Sequence, residues 1–508
     1  MRFHPIARLL GFLLIVLAAA MSTSLFWSWW LDDAAATIVA FVAATGVTAG
    51  CGGALLYLGR GSDTIIYHRE ALFIVGVSWL LLGVFGGLPY LFDGAFDNPA
   101  DAYFEAISGF TTTGSTVLTD IEGISAGLHW WRGMTHWLGG MGIIVLFLAI
   151  FPRLGAGGKL LFKSEVPGPI TEGLKPKIRE TSWALYRIYF GLTVLLAVIL
   201  YALGPNATDV DAQHLSPNAE MDAHNALIHA MATMATGGFS TLNASSAGFG
   251  SAAIDVVLTI FMALAGVNFG LYYLALRGGY KRALRDGELW AYVVIIAIAT
   301  VIITFNIWGT GVPGTPDAAK HETLLSSLRY AAFQVSSVVT TTGFGTDNFD
   351  LYPPMSKLIL VFLMFSGGMA GSTAGGIKVF RIMVVWKAIL HEVKKVVRPS
   401  SIHVIKISGR PIDREIVLGI LSFFALSLLV FTAASVYMAF LGLDIVTATT
   451  SVAATLFNIG PGLNRVGSIE SFAFIPSSGK MVLSFCMIMG RLEFYAILAL
   501  MLPDFWRD

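Results

Sequence analysis

Four short segments rich in glycine and threonine recur along the chain, and each has the chemistry to bind a cation through peptide oxygens. They are Thr111-Thr112-Thr113-Gly114-Ser115, Thr236-Gly237-Gly238-Phe239-Ser240, Thr340-Thr341-Thr342-Gly343-Phe344-Gly345 and Asn458-Ile459-Gly460-Pro461-Gly462. Their glycines Gly114, Gly238, Gly343 and Gly460 are separated by 124, 105 and 117 residues. Because glycine adopts backbone angles that other residues avoid, it can turn carbonyl oxygens towards a shared axis, where they replace the water shell of a cation. The near-constant spacing predicts a selectivity filter built from four loops.

Each glycine follows a stretch that is patterned for a helix but is too short to cross a bilayer, which takes about 20 apolar residues. The stretches run from Ala102 to Phe110, Ala223 to Met234, Leu324 to Val339 and Val446 to Leu456. We therefore predict four re-entrant half-helices. Non-helical backbone at membrane depth is tolerated only where it is buried in protein or lines a watery path, so four such loops imply one shared path. The partial negative charge at the half-helix C-termini would attract cations.

The composition is that of a membrane protein. Of the 508 residues, 56% are hydrophobic and only 13% are charged, against about a quarter charged in an ordinary soluble domain. The formal net charge is zero, so no basic surplus exists to hold nucleic acid, and we predict no nucleic-acid partner. Cys51 and Cys486 lie far apart in apolar runs, which argues against a disulfide framework or a zinc site. The histidines are scattered without an HExxH signature, and we predict no enzyme activity.

Ten apolar runs predict membrane spans. They cover about residues 8–30, 35–58, 71–92, 130–152, 183–204, 253–276, 289–309, 356–390, 415–442 and 479–503. The predicted fold class is an all-α membrane protein with two N-terminal helices and four repeats of helix, re-entrant pore half-helix, filter loop and helix around a pseudo-fourfold pore. The predicted boundaries are 1–60 for the two additional helices and 61–160, 161–280, 281–400 and 401–508 for the repeats.

The cations lie mostly on one predicted side of the membrane. The segments on the N-terminal side carry 24 Lys and Arg residues, whereas the opposite side carries only Arg132, Lys320, Arg329, Lys357, Arg465 and Lys480. The positive-inside rule therefore places both termini in the cytoplasm. The opposite loops are acidic: Asp93, Asp97, Asp101, Asp120, Glu122, Asp209, Asp211, Glu220, Asp222, Asp347, Asp350 and Asp444. These carboxylates either keep the surface soluble or concentrate cations in a vestibule.

The eighth predicted span contains an interruption that helices tolerate poorly. It runs from Ser366 to Gly376 and is built from glycine, serine, threonine and alanine. Either these small residues allow close helix packing, or the helix breaks and forms a movable plug below the filter. The candidate gate residues are Ser366, Gly367, Gly368, Gly371, Ser372, Thr373, Gly375, Gly376 and Lys378. The spacing from Gly371 to Lys378 does not match a nucleotide-binding P-loop.

Arg491 lies within the last predicted span. An arginine there costs at least a few kcal/mol unless it faces a partner or water, so it is a candidate functional residue. Glu493 is two positions away and points to another helix face, which argues against a pair between the two. Arg187 lies only a few residues into its own span and can extend to the cytoplasmic interface.

Several of these motifs resemble those of the Trk, Ktr and HKT potassium transporter superfamily, and most closely the bacterial TrkH-type potassium uptake proteins. The resemblance covers nearly the whole chain and includes the two N-terminal helices, Thr111 to Thr116, His136-Trp137-Leu138-Gly139-Gly140-Met141-Gly142, Asn458 to Gly462 and Gly490-Arg491-Leu492-Glu493. It implies a filter made of Thr112, Thr113, Gly114, Thr236, Gly237, Gly238, Thr341, Thr342, Gly343, Asn458, Ile459 and Gly460. Potassium would be held at Thr112, Thr113, Thr236, Gly237, Thr341, Thr342, Asn458 and Ile459. Glycine at all four filter positions implies a preference for potassium, while Ser115 and Pro461 make the four loops unequal.

The resemblance also implies a gate at the interrupted eighth span and a pore barrier at Arg491. It implies a homodimer in the bacterial inner membrane and a cytoplasmic, nucleotide-binding regulatory subunit of the TrkA type. The basic cytoplasmic segments 153–182, 277–288 and 391–414 would either dock that subunit or only contact lipid headgroups. Potassium is expected as the transported ion, and no bound organic cofactor is expected.

Two other functions remain open from the residues alone. One is a proton- or sodium-coupled secondary cation transporter that binds its substrate at broken helices. The other is a membrane scaffold without transport, which would leave four re-entrant segments without a purpose.

Overall fold

The computed structural model describes residues 1–61, 66–142, 178–204, 220–310, 321–397, 405–407 and 410–507. In chain order its α-helices are α1 (Phe3–Trp30), α2 (Ala35–Leu58), α3 (His68–Phe92), α4 (Pro99–Phe110), α5 (Ala126–Gly140), α6 (Ile178–Leu203), α7 (Ala223–Met234), α8 (Ala252–Ala265), α9 (Phe269–Leu274), α10 (Tyr280–Ala283), α11 (Gly287–Ile307), α12 (Leu324–Val339), α13 (Pro354–Met364), α14 (Val379–Val397), α15 (Arg414–Phe440), α16 (Ile445–Leu456), α17 (Ser477–Arg491), α18 (Tyr495–Met501) and α19 (Pro503–Trp506). Short 3-10 turns lie at Ser245–Phe249, Phe349–Leu351 and Asn464–Val466, and a π-helical turn lies at Ala275–Gly279. The strands β1 (Lys406–Ile407) and β2 (Arg410–Pro411) form an antiparallel hairpin. The predicted all-α membrane fold is confirmed.

Six helices of the described chain are long and apolar enough to cross a bilayer alone: α1, α2, α3, α6, α11 and α15. The first two form the predicted N-terminal pair, and α1 also contacts α3 and α5. The other four each open one repeat. Arg2 pairs with Glu70 at the start of α3 at 2.9 Å, and Arg69 donates to the carbonyl of Arg507 at 2.7 Å. Both chain ends therefore lie on one side of the bundle, which we call the terminal side.

Each repeat contains a short helix: α4, α7, α12 and α16. These half-helices begin within three residues of the predicted starts and end at the predicted residues. Each starts at a polar N-cap whose side-chain oxygen accepts a backbone N–H, which satisfies a group that the helix leaves unpaired. The caps are Asn98, Asp222, Thr323 and Asp444, with bonds of 3.0, 2.7, 3.1 and 3.1 Å.

The half-helices follow one packing rule in all four repeats. Each contacts the long helix before it, the helix after it and the second helix of the preceding repeat. Thus α7 contacts α5, α12 contacts α8, α16 contacts α13, and α4 closes the circle by contacting α17. The repeats therefore form a ring in which the first meets the fourth.

The helix that follows each filter segment is short: α5, α8, α13 and α17 span only 11 to 15 residues. The predicted interruption of the eighth span is confirmed between α13 and α14. The spans predicted at 253–276 and 479–503 are each broken in the structure. The chain bends by 87° between α8 and α9, and positive φ angles at Glu493 and Phe494 separate α17 from α18. After Gly142, at φ +67°, the rest of the predicted span 130–152 lies outside the described residues.

Candidate ion pathway

Each half-helix ends in the same backbone motif, and that motif begins the filter segment. The N–H of Thr113, Gly237, Thr342 and Ile459 each reaches a helix carbonyl five residues back, at 2.8 to 2.9 Å. The residue before each of them has a left-handed backbone, with φ of +54° to +56°. This is the Schellman arrangement, in which glycine usually takes the left-handed position. Here Thr112, Thr236, Thr341 and Asn458 take it instead.

Left-handed threonine is strained because its branched Cβ crowds the backbone. Two residues later, Gly114, Gly238, Gly343 and Gly460 also have positive φ, at +86°, +81°, +85° and +105°. The glycine positions were predictable from the sequence, whereas the left-handed angles at the threonines were not. Their residue type carries no signal for such a conformation. Strain that recurs at three equivalent threonines, with asparagine at the fourth position, points to a functional site.

The four glycines contact the neighbouring segments in a closed ring. A Cβ added to Gly114 would lie 2.1 Å from the carbonyl oxygen of Gly237 in the second segment. A Cβ added to Gly238 would lie 2.0 Å from the carbonyl oxygen of Thr342, and one added to Gly343 would lie 2.0 Å from that of Ile459. A Cβ added to Gly460 would lie 2.8 Å from the carbonyl oxygen of Thr113. Each distance is too short for a side-chain carbon, so only glycine fits. We call Thr112–Gly114, Thr236–Gly238, Thr341–Gly343 and Asn458–Gly460 together the filter ring.

The ring is buried and only partly symmetric. Thr112, Thr113, Thr236, Thr341, Thr342, Asn458 and Ile459 are all inaccessible to solvent. In the first and third segments the hydroxyls of paired threonines, Thr111 with Thr113 and Thr340 with Thr342, lie 2.7 Å apart. In the fourth segment the Asn458 amide donates to the Thr113 hydroxyl at 2.9 Å, joining the last repeat to the first.

A cavity of about 310 Å³ opens above the filter ring, on the side away from the chain termini, and all four glycines line it. Glu470 is its acidic lining residue. Several of the outer carboxylates, for which a solubilising role and a vestibule were both open, have other contacts. Asp222 and Asp444 cap half-helices, Asp101 binds Lys480 at 2.7 Å and Asp347 binds His321 at 2.9 Å. Burial raises the pKa of the Asp350 carboxyl, and the N–H of Asn464 bound to it opposes that shift. Asp209 and Asp211 lie outside the described residues.

The segment Ser366–Gly376, which we call the intramembrane loop, lies against the other face of the ring. Its two arms are joined by backbone bonds, from Gly367 to Ile377 at 2.9 Å and from Val379 to Gly368 at 3.1 Å. The N–H of Gly375 donates to the Thr341 hydroxyl at 2.6 Å, directly below the third filter segment. Within the loop, Gly371 and Gly376 have positive φ.

Two further elements hold the intramembrane loop. The break between α8 and α9 binds it, since the N–H of Met369 donates to Gly266 at 2.9 Å and the hydroxyl of Thr373 donates to Ala265 at 3.1 Å. On the terminal side, one carboxylate oxygen of Glu288 accepts from the N–H of Ala370 at 2.7 Å and of Phe380 at 3.1 Å. Sequence reasoning missed Glu288, although a carboxylate at the start of an apolar span is a usable signal.

Arg491 joins three parts of the pathway. Its guanidinium donates to the Thr112 hydroxyl in the filter ring at 3.1 Å and to the Thr373 carbonyl in the intramembrane loop at 3.0 Å. It also donates to the carbonyls of Gly139 and Gly140 at the end of α5, at 2.6 and 3.0 Å. The sequence-predicted filter, gate and barrier residues therefore meet in one place.

A second cavity of about 70 Å³ lies on the terminal side of the loop, lined by Lys378, Arg491 and Glu493 among others. Lys378 is buried and donates to the carbonyl of Ala374. Glu493 pairs with Arg381 at the start of α14. The cavity is thus lined by two cationic side chains, Lys378 and Arg491, and by the carboxylate of Glu493, which is paired with Arg381.

The string Gly123-Ile124-Ser125-Ala126-Gly127 matches the G-x-S-x-G pattern of hydrolase nucleophiles. In the structure Ser125 is the N-cap of α5, and its hydroxyl accepts from the N–H of Leu128 at 3.4 Å. The carboxylate of Asp33 accepts from the next two N–H groups, each at 2.9 Å. This serine therefore caps a helix. In the described part of the chain no three His, Cys, Asp or Glu side chains are grouped to hold a metal.

Comparison with known proteins places the chain among cation transporters. The family model TrkH, described as a cation transport protein, matches residues 38–504. The chain is 36% identical to the Trk system potassium uptake protein TrkH of Halomonas elongata and 35% identical to that of Escherichia coli, each over the whole length of both proteins. The crystal structure of the potassium transporter TrkH from Vibrio parahaemolyticus superposes with a TM-score of 0.84, covers all of both chains and is 31% identical.

Proposed function

The chain belongs to the TrkH family of cation transport proteins, and we propose that it takes up potassium through the filter ring. The observation that carries this proposal is the closed circle of contacts between each filter glycine and a carbonyl of the next segment. Peptide oxygens in such a ring replace the water shell of an ion that passes through it. The relatives in Halomonas elongata and Escherichia coli are named as potassium uptake proteins.

In this function the half-helices guide the ion. Their C-termini meet at the ring, where the partial negative charge of each helix end favours a cation over an anion. An ion enters from the larger cavity, loses water to the peptide oxygens and then meets the intramembrane loop. The loop and Arg491 close the way to the terminal side, so that opening requires the loop to leave its contacts with Thr341, Ala265 and Glu288.

The orientation of the protein in the membrane follows from the charge pattern. We place the terminal side in the cytoplasm of a bacterium and the larger cavity on the outer face of the inner membrane, because most cations lie on the terminal side. The division into four repeats at 61–160, 161–280, 281–400 and 401–508 belongs to this proposal, as do the homodimer and the nucleotide-binding subunit of the TrkA type. Most of segment 153–182, one of the proposed docking surfaces, lies outside the described residues.

Potassium-loaded proteoliposomes that contain the purified protein are expected to take up rubidium faster than vesicles without protein. External potassium should compete with rubidium better than external sodium does. The reason is that the ring presents peptide oxygens of fixed spacing. Isotope uptake measured with and without the regulatory subunit tests this. Uptake that reverses with an imposed pH gradient would instead favour a coupled transporter. If vesicles with and without the protein take up rubidium equally, with the regulatory subunit present, the result would favour a membrane scaffold that does not transport ions.

Removing Met369–Thr373 from the intramembrane loop is expected to raise uptake several-fold without the regulatory subunit. Gly368 can be joined directly to Ala374 after the deletion, because a Cβ on Gly368 would lie 2.8 Å from the Cβ of Ala374. The deletion does not alter the filter ring itself. Uptake in proteoliposomes measures the effect. Glu288→Ala, which removes the hydrogen bonds to the N–H groups of Ala370 and Phe380, is the matched point variant. An unchanged rate in both folded variants would contradict the gating role.

A further inference from the structure

A buried polar residue stands nine positions before each filter glycine. These residues are Glu105, His229, Gln334 and Ser451. All four are inaccessible to solvent, and each lies on the half-helix of its repeat. Because a half-helix positions the filter segment that follows it, side chains at this level can bind the chain after it has passed through the ring.

Three of the repeats make such a bond. His229 lies 3.0 Å from the hydroxyl of Ser240, and the amide of Gln334 donates to the carbonyl of Asp347 at 3.4 Å. Glu105 accepts from the hydroxyl of Thr116 at 2.9 Å and from the N–H of Val117 at 2.9 Å. In the fourth repeat Ser451 bonds within its own helix, and its neighbour Thr450 instead accepts from the N–H of Leu463 at 3.0 Å.

Glu105 differs from the other three residues because it is a carboxylate with a buried cationic partner. Arg132 of α5 lies 3.1 Å from it, with 2% and 0% of the two side chains exposed. The guanidinium also donates to the carbonyl of Ser240 at 2.8 Å and lies 4.1 Å above the ring of Phe239. The pair therefore reaches both the first and the second repeat.

The two ends of this bridge lie at equivalent positions. Thr116, bound by Glu105, is two residues after Gly114, and Ser240, bound by Arg132, is two residues after Gly238. In the ring itself Gly114 contacts the carbonyl of Gly237. The bridge thus fixes the same register in the two segments whose mutual contact forms one quarter of the ring.

We propose that Glu105 and Arg132 are a positioning pair that sets the spacing of the first and second filter segments and so contributes to the choice of potassium over sodium. This inference rests on the proposed potassium uptake. The carboxylate fixes the first segment, the planar guanidinium fixes the second, and their charges hold the two together at the wall of the larger cavity, which Arg132 lines with 2% of its side chain exposed. A small shift of either segment changes the distance between the peptide oxygens and the ion.

The test is the preference for potassium over sodium in competition against rubidium uptake, measured for Glu105→Gln and Arg132→Gln. Glu105→Gln keeps the side-chain shape and Arg132→Gln shortens the side chain, and each variant removes one charge. We expect the preference to fall by about tenfold, which is typical when a residue that orients ion ligands is lost. The double variant, which leaves no unpaired charge, should recover folded protein but not the preference.

A matched control is available on the same half-helix. Asp101 lies four residues before Glu105 and pairs at 2.7 Å with Lys480, which is 4% exposed, on α17. Asp101→Asn removes one charge from a largely buried ion pair without altering any contact to a filter segment. It should lower thermal stability and leave the ion preference unchanged.

If the single Gln variants do not yield folded protein, Arg132→Lys decides the question. Lysine keeps the charge beside Glu105 but lacks the fork that also reaches Ser240, so the preference should still fall. An unchanged preference in a folded Arg132→Lys or Arg132→Gln protein would overturn the positioning role. Absence of selective uptake by the unaltered protein would instead overturn the proposed function, and the two failures are thus distinguishable.

Discussion

Replacing Gly343 by alanine should lower potassium uptake at least about tenfold, equivalent to about 1.4 kcal/mol, and weaken discrimination against sodium. Alanine at its φ of +85° costs about 1–2 kcal/mol. The added Cβ would lie 2.0 Å from the carbonyl oxygen of Ile459, so the third and fourth filter segments must separate, at a cost of about 1–3 kcal/mol. Rubidium uptake in proteoliposomes, with potassium and sodium as competitors, measures both effects.

Gly442 provides the matched control for this substitution. Its φ is +91°, and an added Cβ would have no atom within 4 Å. Gly442→Ala therefore introduces the same backbone strain without a contact in the ring, and it should alter stability but not ion preference. Selective uptake at the normal rate in folded Gly343→Ala protein would remove the filter ring from the mechanism.

Replacing Arg491 by alanine should raise potassium uptake roughly tenfold. The guanidinium touches the filter ring at Thr112, and two like unit charges separated by, for illustration, about 8 Å repel by about 2 kcal/mol at an effective dielectric constant of 20. The same change removes the bonds from Arg491 to Thr373 and to the end of α5, so the intramembrane loop loses one of its anchors. Uptake without the regulatory subunit is the sensitive measurement, because the closed state then dominates.

Two variants separate the charge of Arg491 from its role as an anchor. Arg491→Lys keeps the charge but cannot form all four hydrogen bonds, so uptake should rise less than in the alanine variant. Arg187→Ala removes an exposed arginine from α6 and should leave uptake unchanged. Slower transport by folded Arg491→Ala protein would refute the barrier assignment.

The half-helices and their order were predictable because local pattern sets them. Each has polar N-cap chemistry, an apolar stretch too short for a span and a following Gly/Thr segment, and residues Ala223 to Met234 coincide with α7. The spacing of Gly114, Gly238, Gly343 and Gly460 reveals a repeat, since four copies of one local pattern are improbable by chance. The break at Ser366–Gly376 follows from its poor helix propensity.

The helix breaks after α8 and α17 were not predictable in this way. Gly266 and Asn268 lie at the first break and Glu493 at the second, but single residues of these types inside an apolar run do not by themselves predict a break. The breaks depend on partners far along the chain: Gly266 binds Met369, and Glu493 binds Arg381. The same holds for Glu105 and Arg132. The sequence placed Glu105 on a half-helix and Arg132 among the few cations on the side opposite the termini, but in the structure they form one buried pair.

The amino-acid sequence alone determined the membrane class, the four repeats, the half-helices and the glycines, because each depends on composition or on residues close together in the chain. Only the tertiary structure decided that Thr112 and its counterparts adopt left-handed angles and that each filter glycine touches the next repeat. It also brought Arg491, the intramembrane loop and the ring together. Those features arise where four distant segments compete for one small volume, and the angles that each residue adopts are set by the backbone that faces it.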